Sequence, residues 1–153
     1  MKTILKSFLV VAVLFTCSTT YANINSSDST GKSSVENMKT LPVDASKFIN
    51  TYFHHEDVNG VNVTAQGYNV ALSDGSSITF DQYGQWSGVE APTGEQFSGK
   101  LLKGLLPKKA LDYISKNQKQ NQVTSITFDF DKGFSVSCGQ SNTLNFTKTG
   151  RLN

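Results

Sequence analysis

The chain is poor in the residues that usually carry chemistry. Its 153 residues include two histidines and two cysteines. One cysteine, Cys17, lies in the amino-terminal segment. Cys138 is then the single cysteine of the remaining chain, which excludes an internal disulfide there. There is no Gly-rich phosphate loop, no Gly-x-Ser-x-Gly elbow and no His-Glu-x-x-His. The common nucleotide-binding, esterase-type and zinc-protease motifs are therefore missing. Apolar runs are short. Phe8 to Phe15 is an unbroken run of eight, against the roughly 20 residues that a membrane-spanning helix needs. No second stretch is long enough, so no transmembrane segment is expected. An excess of one charge is missing too. Without Lys2 and Lys6, twelve basic residues face twelve acidic ones. That balance argues against nucleic acid or an anionic membrane as partner.

What is present begins with an export signal. Lys2 and Lys6 precede the apolar run, and Thr20-Tyr21-Ala22 offers small residues at −3 and −1. Residues 1–22 read as a secretory signal peptide cut after Ala22. The alternative is a lipoprotein signal with Cys17 as the lipidated residue. Thr16 before it is larger than the Gly, Ala or Ser usual there,. Residues 23–40 are rich in Ser, Asn, Thr and Lys and read as a disordered linker. The rest, 41–153, has the size of a single domain. The expected compartment is the periplasm or the outside of the cell.

That domain repeats itself. Leu41-Pro42 recurs as Leu106-Pro107, and Ala45, Phe48 and Ile49 recur as Ala110, Tyr113 and Ile114, all 65 positions on. Gly67, Tyr68, Val70, Leu72, Ile78, Phe80, Gly84 and Trp86 recur as Gly133, Phe134, Val136, Cys138, Leu144, Phe146, Gly150 and Leu152, now 66 positions on. The order is kept and one residue has been gained. Two repeats, 41–90 and 106–153, follow, each needing the other to bury its apolar face.

Each repeat changes period once. Pro42 suits a first helical turn, and Ala45, Phe48, Ile49 and Tyr52 form one stripe at helical spacing, stopping near His55. Val61 and Val63 then alternate with polar residues, as do Tyr68, Val70 and Leu72, and Ile78 and Phe80. Asp74-Gly75 and Tyr83-Gly84 are turn signals, and Trp86 to Val89 adds a short fourth strand. The second repeat reads likewise: a helix from Pro107 to about Asn117, alternation of Ile126, Phe128 and Phe130, then of Phe134, Val136 and Cys138, then Leu144 and Phe146, with a last short strand at Leu152. Ala91 to Gly104 reads as a linker with one helical turn around Leu101-Leu102. The fold class is α+β: one antiparallel sheet of six to eight strands, built of tandem helix-plus-meander repeats, with two helices on its apolar face.

The pattern Leu-Pro…Phe-Ile, Gly-Tyr-x-Val-x-Leu, Asp-Gly, Ile-x-Phe-Asp-x-x-Gly-x-Trp resembles the PepSY-like family. The resemblance covers Leu41 to Asn153. In the second copy Cys138, Thr147 and Leu152 replace Leu72, Asp81 and Trp86. The resemblance implies a tandem form similar in fold to β-lactamase inhibitor proteins, secreted by Bacteroides-type bacteria. It implies a compartment and a fold, not an activity.

Candidate sites are sparse. His54-His55-Glu56-Asp57 is the densest cluster of potential ligands. Adjacent histidines should point to different faces, and a metal needs three or four converging groups. A polar helix end explains the cluster as well. Asp129 and Asp131 are two apart and share a strand face, with Asp81 at the matching place in the first repeat. They could serve acid/base chemistry or bind Ca²⁺, or simply solvate a face beside a turn. Lys100, Lys103, Lys108 and Lys109 lack aromatics for stacking bases. Tyr83 and Trp86 would anchor an interface if exposed, whereas Leu152 in place of Trp86 in the second copy favours a packing role for Trp86,. The sequence favours a non-enzymatic module without cofactor, touching a protein or peptide through its polar sheet face, with Asp81, Tyr83, Trp86, Asp129 and Asp131 as contact residues. A small hydrolytic or metal-dependent enzyme is the alternative. It requires His54, Glu56, Asp129 and Asp131 to converge. The repeat generates a prediction: a fragment from Thr40 to Gly94 should melt without cooperativity in calorimetry, because it lacks the other half of its core.

Overall fold

The computed structural model describes residues 37–117, 122–139 and 142–153. The proposed signal peptide, 1–22, and most of the proposed linker lie outside them. The last residues of that linker do not behave as a tether. Asn37 Nδ2 donates to Val58 O at 3.2 Å, Leu41 N donates to Met38 O, and Met38 packs against the core.

Seven strands form one antiparallel sheet in sequence order. They are β1 (Val58–Thr64), β2 (Gly67–Leu72), β3 (Ser77–Asp81), β4 (Trp86–Glu90), β5 (Val123–Asp129), β6 (Gly133–Cys138) and β7 (Asn142–Phe146). Three helices lie wholly within the described residues: α1 (Val43–Tyr52), α2 (Gly99–Leu105) and α3 (Lys108–Lys116). An eighth strand at Leu152 is reduced to a single bridge with Phe146.

The register arranges side chains into rows that run across the sheet. Val61, Val70, Ile78, Val89, Ile126, Val136 and Leu144 are cross-strand partners in one continuous aliphatic row. An aromatic row lies next to it on the same face. Tyr68, Phe80 and Trp86 are paired, Phe128, Phe134 and Phe146 are paired, and the Trp86 and Phe128 rings meet at 5.9 Å. The opposite face carries Asn62, Asn69, Thr79, Gly88, Thr127, Ser135 and Asn145 in one row. Alternation of side chains along each strand produces both faces at once.

Three β-bulges keep these rows intact. The extra residues are Asn59, Ser87 and Thr124. Each bulge brings two apolar residues three positions apart to one face: Val58 with Val61, Trp86 with Val89, Val123 with Ile126. Each extra residue also turns its polar side chain to the facing strand. Asn59 Nδ2 donates to Leu72 O, Ser87 Oγ to Thr79 O and Thr124 Oγ1 to Ser137 O, at 3.4–3.5 Å. These bonds are long, so their contribution is small.

The helices pack into the same core. Ala45 and Ile49 of α1 and Ala110 and Ile114 of α3 are buried, and all belong to the cluster that holds the aliphatic row. Phe48 lies edge-on to Phe80 at 5.7 Å and stacks on Trp86 at 5.6 Å. Tyr113 lies edge-on to Phe146 at 5.8 Å. The start of each helix is tucked against a sheet turn. A Cβ on Gly84 would lie 2.7 Å from Pro42 Cβ, and one on Gly150 would lie 2.8 Å from Ala110 N. Both glycines have positive φ, 85° and 78°, so conformation and space alike demand glycine.

Two expectations are corrected. The segment read as a linker with one helical turn forms α2, seven residues long, with Leu102 and Leu105 buried. Ser98 starts it by accepting from Leu101 N at 3.3 Å, a cap that the neighbouring Gly99 obscures in the sequence. Phe130, read as a strand residue of the apolar face, is 74% exposed in the β5–β6 turn, under Lys148 Nζ at 4.0 Å. The strand stops at Asp129 because that carboxylate closes the turn.

The rows generate a prediction. Phe80→Ala and Phe146→Ala should each lose about 3–5 kcal/mol in urea unfolding, while Thr79→Ala, on the polar face, should stay within about 0.5 kcal/mol of wild type. A silent Phe146→Ala would refute the shared row.

Candidate functional site

The turns β1–β2, β3–β4 and β5–β6, together with residues 147–150, all lie at one end of the sheet, because consecutive strands alternate in direction. This rim brings Asp81, Tyr83, Trp86, Asp129 and Asp131 to the same end of the molecule. It does not give them one surface. Trp86 belongs to the helix-side aromatic row, half-buried against Phe48, Phe128 and Phe134. Its place in the fold is packing. Tyr83, in contrast, is 72% exposed.

Asp81 and Asp129 perform the same local task. Asp81 Oδ1 accepts from Tyr83 N and Gln85 N, both at 2.9 Å. Asp129 Oδ1 accepts from Asp131 N at 2.8 Å and Lys132 N at 3.1 Å. An aspartate at the end of a strand captures amides two to four residues on and so sets the turn. At the third such turn Thr147 Oγ1 accepts from Arg151 N at 3.1 Å. Asp129 and Asp131 are therefore not two carboxylates on one strand face. β5 ends at the first, and the second sits in the turn that the first holds.

The backbone amides of Asp131 and Lys132 hold the Asp129 carboxyl below its usual range, with a smaller contribution from the Lys132 charge. The Lys132–Asp129 pair is exposed, at 3.5 Å, and such pairs contribute little to stability.

His54 and His55 do not point apart. Both are exposed past the end of α1, and their ring centroids are 3.8 Å apart. Glu56 Oε2 accepts from Ser73 Oγ at 2.6 Å, tying this segment to the β2–β3 turn. With Asp74 and Glu95 these residues line a depression of about 210 Å³. Asp129 and Asp131 line a different one, and the two have no residue in common. His54, Glu56, Asp129 and Asp131 therefore do not converge. Among the described residues no three His, Cys, Asp or Glu side chains come together as a metal site, and no helix is long and apolar enough to cross a membrane.

The second depression is the larger feature. It is an open basin of about 990 Å³ on the polar face over β5, β6 and β7. Thr127, Ser135 and Asn145, successive members of the polar row, form its floor. Asp129, Asp131, Lys132 and Lys148 stand at its rim end. Sequence reasoning found the two aspartates but missed the floor. Each floor residue is an ordinary polar strand residue until pairing puts it beside the others. The basin offers hydroxyl and amide hydrogen-bonding groups between charges of both signs, and no nucleophile–base pair.

The Asp129 turn generates a prediction. In a carboxyl-detected NMR titration Asp129 should titrate below the usual carboxylate range, and Lys132→Ala should raise it only part of the way. A full return to the ordinary value would mean that the lysine charge, not the amides, holds it. Because the folded value is the lower one, the turn gains stability above the unfolded carboxyl's pKa and loses it as pH falls through the folded value.

The family model described as "Putative beta-lactamase-inhibitor-like, PepSY-like" matches residues 28–87 and again residues 66–153. No curated protein matches the sequence. The fold is similar to that of a "putative periplasmic protein of unknown function" from Bacteroides vulgatus, at 19% identity and a TM-score of 0.64 over 76% of this chain and 91% of that one. It is similar as well to a "putative calcium-regulated periplasmic protein" from Bacteroides thetaiotaomicron, at 21% identity and a TM-score of 0.62 over 76% of this chain and 90% of that one. At such identities the likeness is one of fold. The two matched stretches take in Gly67 to Trp86 and Gly133 to Leu152, the segments with the strongest internal correspondence, and the chain belongs to the PepSY-like family.

Proposed function

We propose that this chain is a non-enzymatic binding module of the periplasm or cell surface, and that it contacts a protein or peptide through the polar face of its sheet. One observation carries the reading. A polar row runs across the sheet, with Asn, Thr or Ser on six strands and Gly88 on β4, and opens into the 990 Å³ basin, over a core closed by two apolar rows. Such a face offers many hydrogen-bonding groups, without a catalytic set among the described residues. Tyr83, at the rim, adds an exposed aromatic contact, with Asp131 beside the basin. The inhibitor-like description of the family and the periplasmic descriptions of similar structures support the compartment and the absence of catalysis. An export signal at residues 1–22 is part of the same reading. The proposed binding uses no metal.

The tandem repeat is part of the proposal. Gly84 beside Pro42 and Gly150 beside Pro107 make matching contacts, and so do Phe48 on Phe80 and Tyr113 on Phe146. The basin lies on the strands of the second copy, where Thr147 stands in place of Asp81.

A photo-crosslinking residue placed at Thr127 or Ser135 in the producing cells tests the reading. A discrete, saturable adduct is expected from both positions and not from Val43, an exposed residue of α1. Absence of adducts from the sheet face, or equal capture from Val43, would overturn it.

A further inference from the structure

The sheet has two edges, and they are not alike. At the β7 edge the chain folds back on itself: Asn153 N donates to Asn145 O at 2.9 Å, and Leu152 bridges to Phe146. β1 is the other end strand and, among the described residues, pairs with a strand on one side only, the Asn37 side chain donating to Val58 O at its start. Its pairing with β2 determines which backbone groups face outward. Thr64 and Gly67 are partners across a two-residue loop. In such a hairpin the closing pair is hydrogen-bonded and the pairs then alternate. Thr64 and Asn62 therefore bond inward to β2, and the N–H and C=O groups of Val61 and Val63 point to the open edge. Natural sheets guard such edges with charge, proline or a bulge, and the β1 bulge at Asn59 lies at the strand's start, before Val61 and Val63. Of charge and proline, β1 has neither, and no charged residue occurs from Val58 to Ser73. Val63 is also 63% exposed, on the face of its partner Tyr68.

We propose that two copies of this chain join edge to edge through β1, antiparallel about a two-fold axis at Asn62. Val61 and Val63 stand symmetrically around that axis. Each Val61 then faces Val63 of the other copy, the outward N–H and C=O groups of both residues exchange hydrogen bonds, and the exposed valines cover one another. Thr64 faces Gly60 of the other copy, where a Cβ would have nothing within 4 Å. No like charges oppose. The return of the chain over the Asn145–Phe146 end of β7 disfavours a head-to-tail β1–β7 contact, so the pairing closes on itself as a dimer instead of extending into fibres,.

Sedimentation equilibrium of the mature chain should show reversible association to a dimer, with Kd between about 1 µM and 1 mM. The amides of Val61 and Val63 should gain hydrogen-exchange protection as concentration rises. Val63→Lys should keep the wild-type melting temperature and weaken association roughly tenfold or more. Asn62→Cys should form a covalent dimer on mild oxidation, because Asn62 faces itself in a non-hydrogen-bonded pair, where Cα atoms are closest. Thr64→Cys, facing Gly60 in this register, should not. A monomer at about 1 mM, a dimer that survives Val63→Lys, or crosslinking at Thr64 in place of Asn62 would each overturn the proposal. So would protection of the edge amides only when an extended peptide is added.

Discussion

The structure depends on an unbroken register across seven strands. Side chains alternate along a strand with a period of two, so a one-residue slip at any pairing would turn the aliphatic row from the core to solvent. Burial holds that register in place. Val70, Ile78, Val89, Ile126 and Val136 are buried where neighbouring strands bring them side by side. Moving one outward would lose its own burial, worth about 1.5–3 kcal/mol for a side chain of this size, and would leave its neighbours without contacts. The three bulges answer the same constraint. At Trp86 and Val89 the local sequence does not keep a strict alternation, and the extra residue Ser87 restores both to the helix side.

Two sides of different character result. The helix side is dense and aromatic. Phe48 on Phe80 and Tyr113 on Phe146 seat α1 and α3, and Gly84 and Gly150 let the helix starts approach the turns. The other side carries short hydroxyl and amide side chains. Those polar groups stand on rows that are close-packed over the middle of the sheet, where Val70, Ile78, Val89, Ile126 and Val136 are buried,. This is the face to which the proposed binding is assigned.

The candidate site shows what local sequence can and cannot reveal. Asp129 and Asp131 stand out as neighbouring carboxylates, and spacing alone assigns them one strand face. In the fold Asp129 is consumed by the amides of its own turn. His54 and His55 attract attention as ligands and instead form an exposed pair of rings outside the basin. Thr127, Ser135 and Asn145 attract none, yet they form the floor. A floor residue is defined by its neighbours on other strands, and no window of sequence contains them.

The sequence by itself determined the periods. Ala45, Phe48 and Ile49 recur at helical spacing, Val70 with Leu72 and Ile78 with Phe80 alternate, and Asp74-Gly75 and Tyr83-Gly84 turn, because these are properties of short stretches of chain and their steric preferences. The correspondence of the two halves was equally open to reading, since it is written in residue types and their order. Tertiary structure decided the rest. Whether β5 would end at Asp129 or run on through Phe130 depended on a carboxylate finding its own amides. Whether Trp86 would face the core or the solvent depended on a bulge, and a bulge exists only in relation to the strand beside it. How much of the β7 edge stayed open depended on where the carboxyl-terminal residues folded back, because an edge belongs to the assembled sheet and to no single strand.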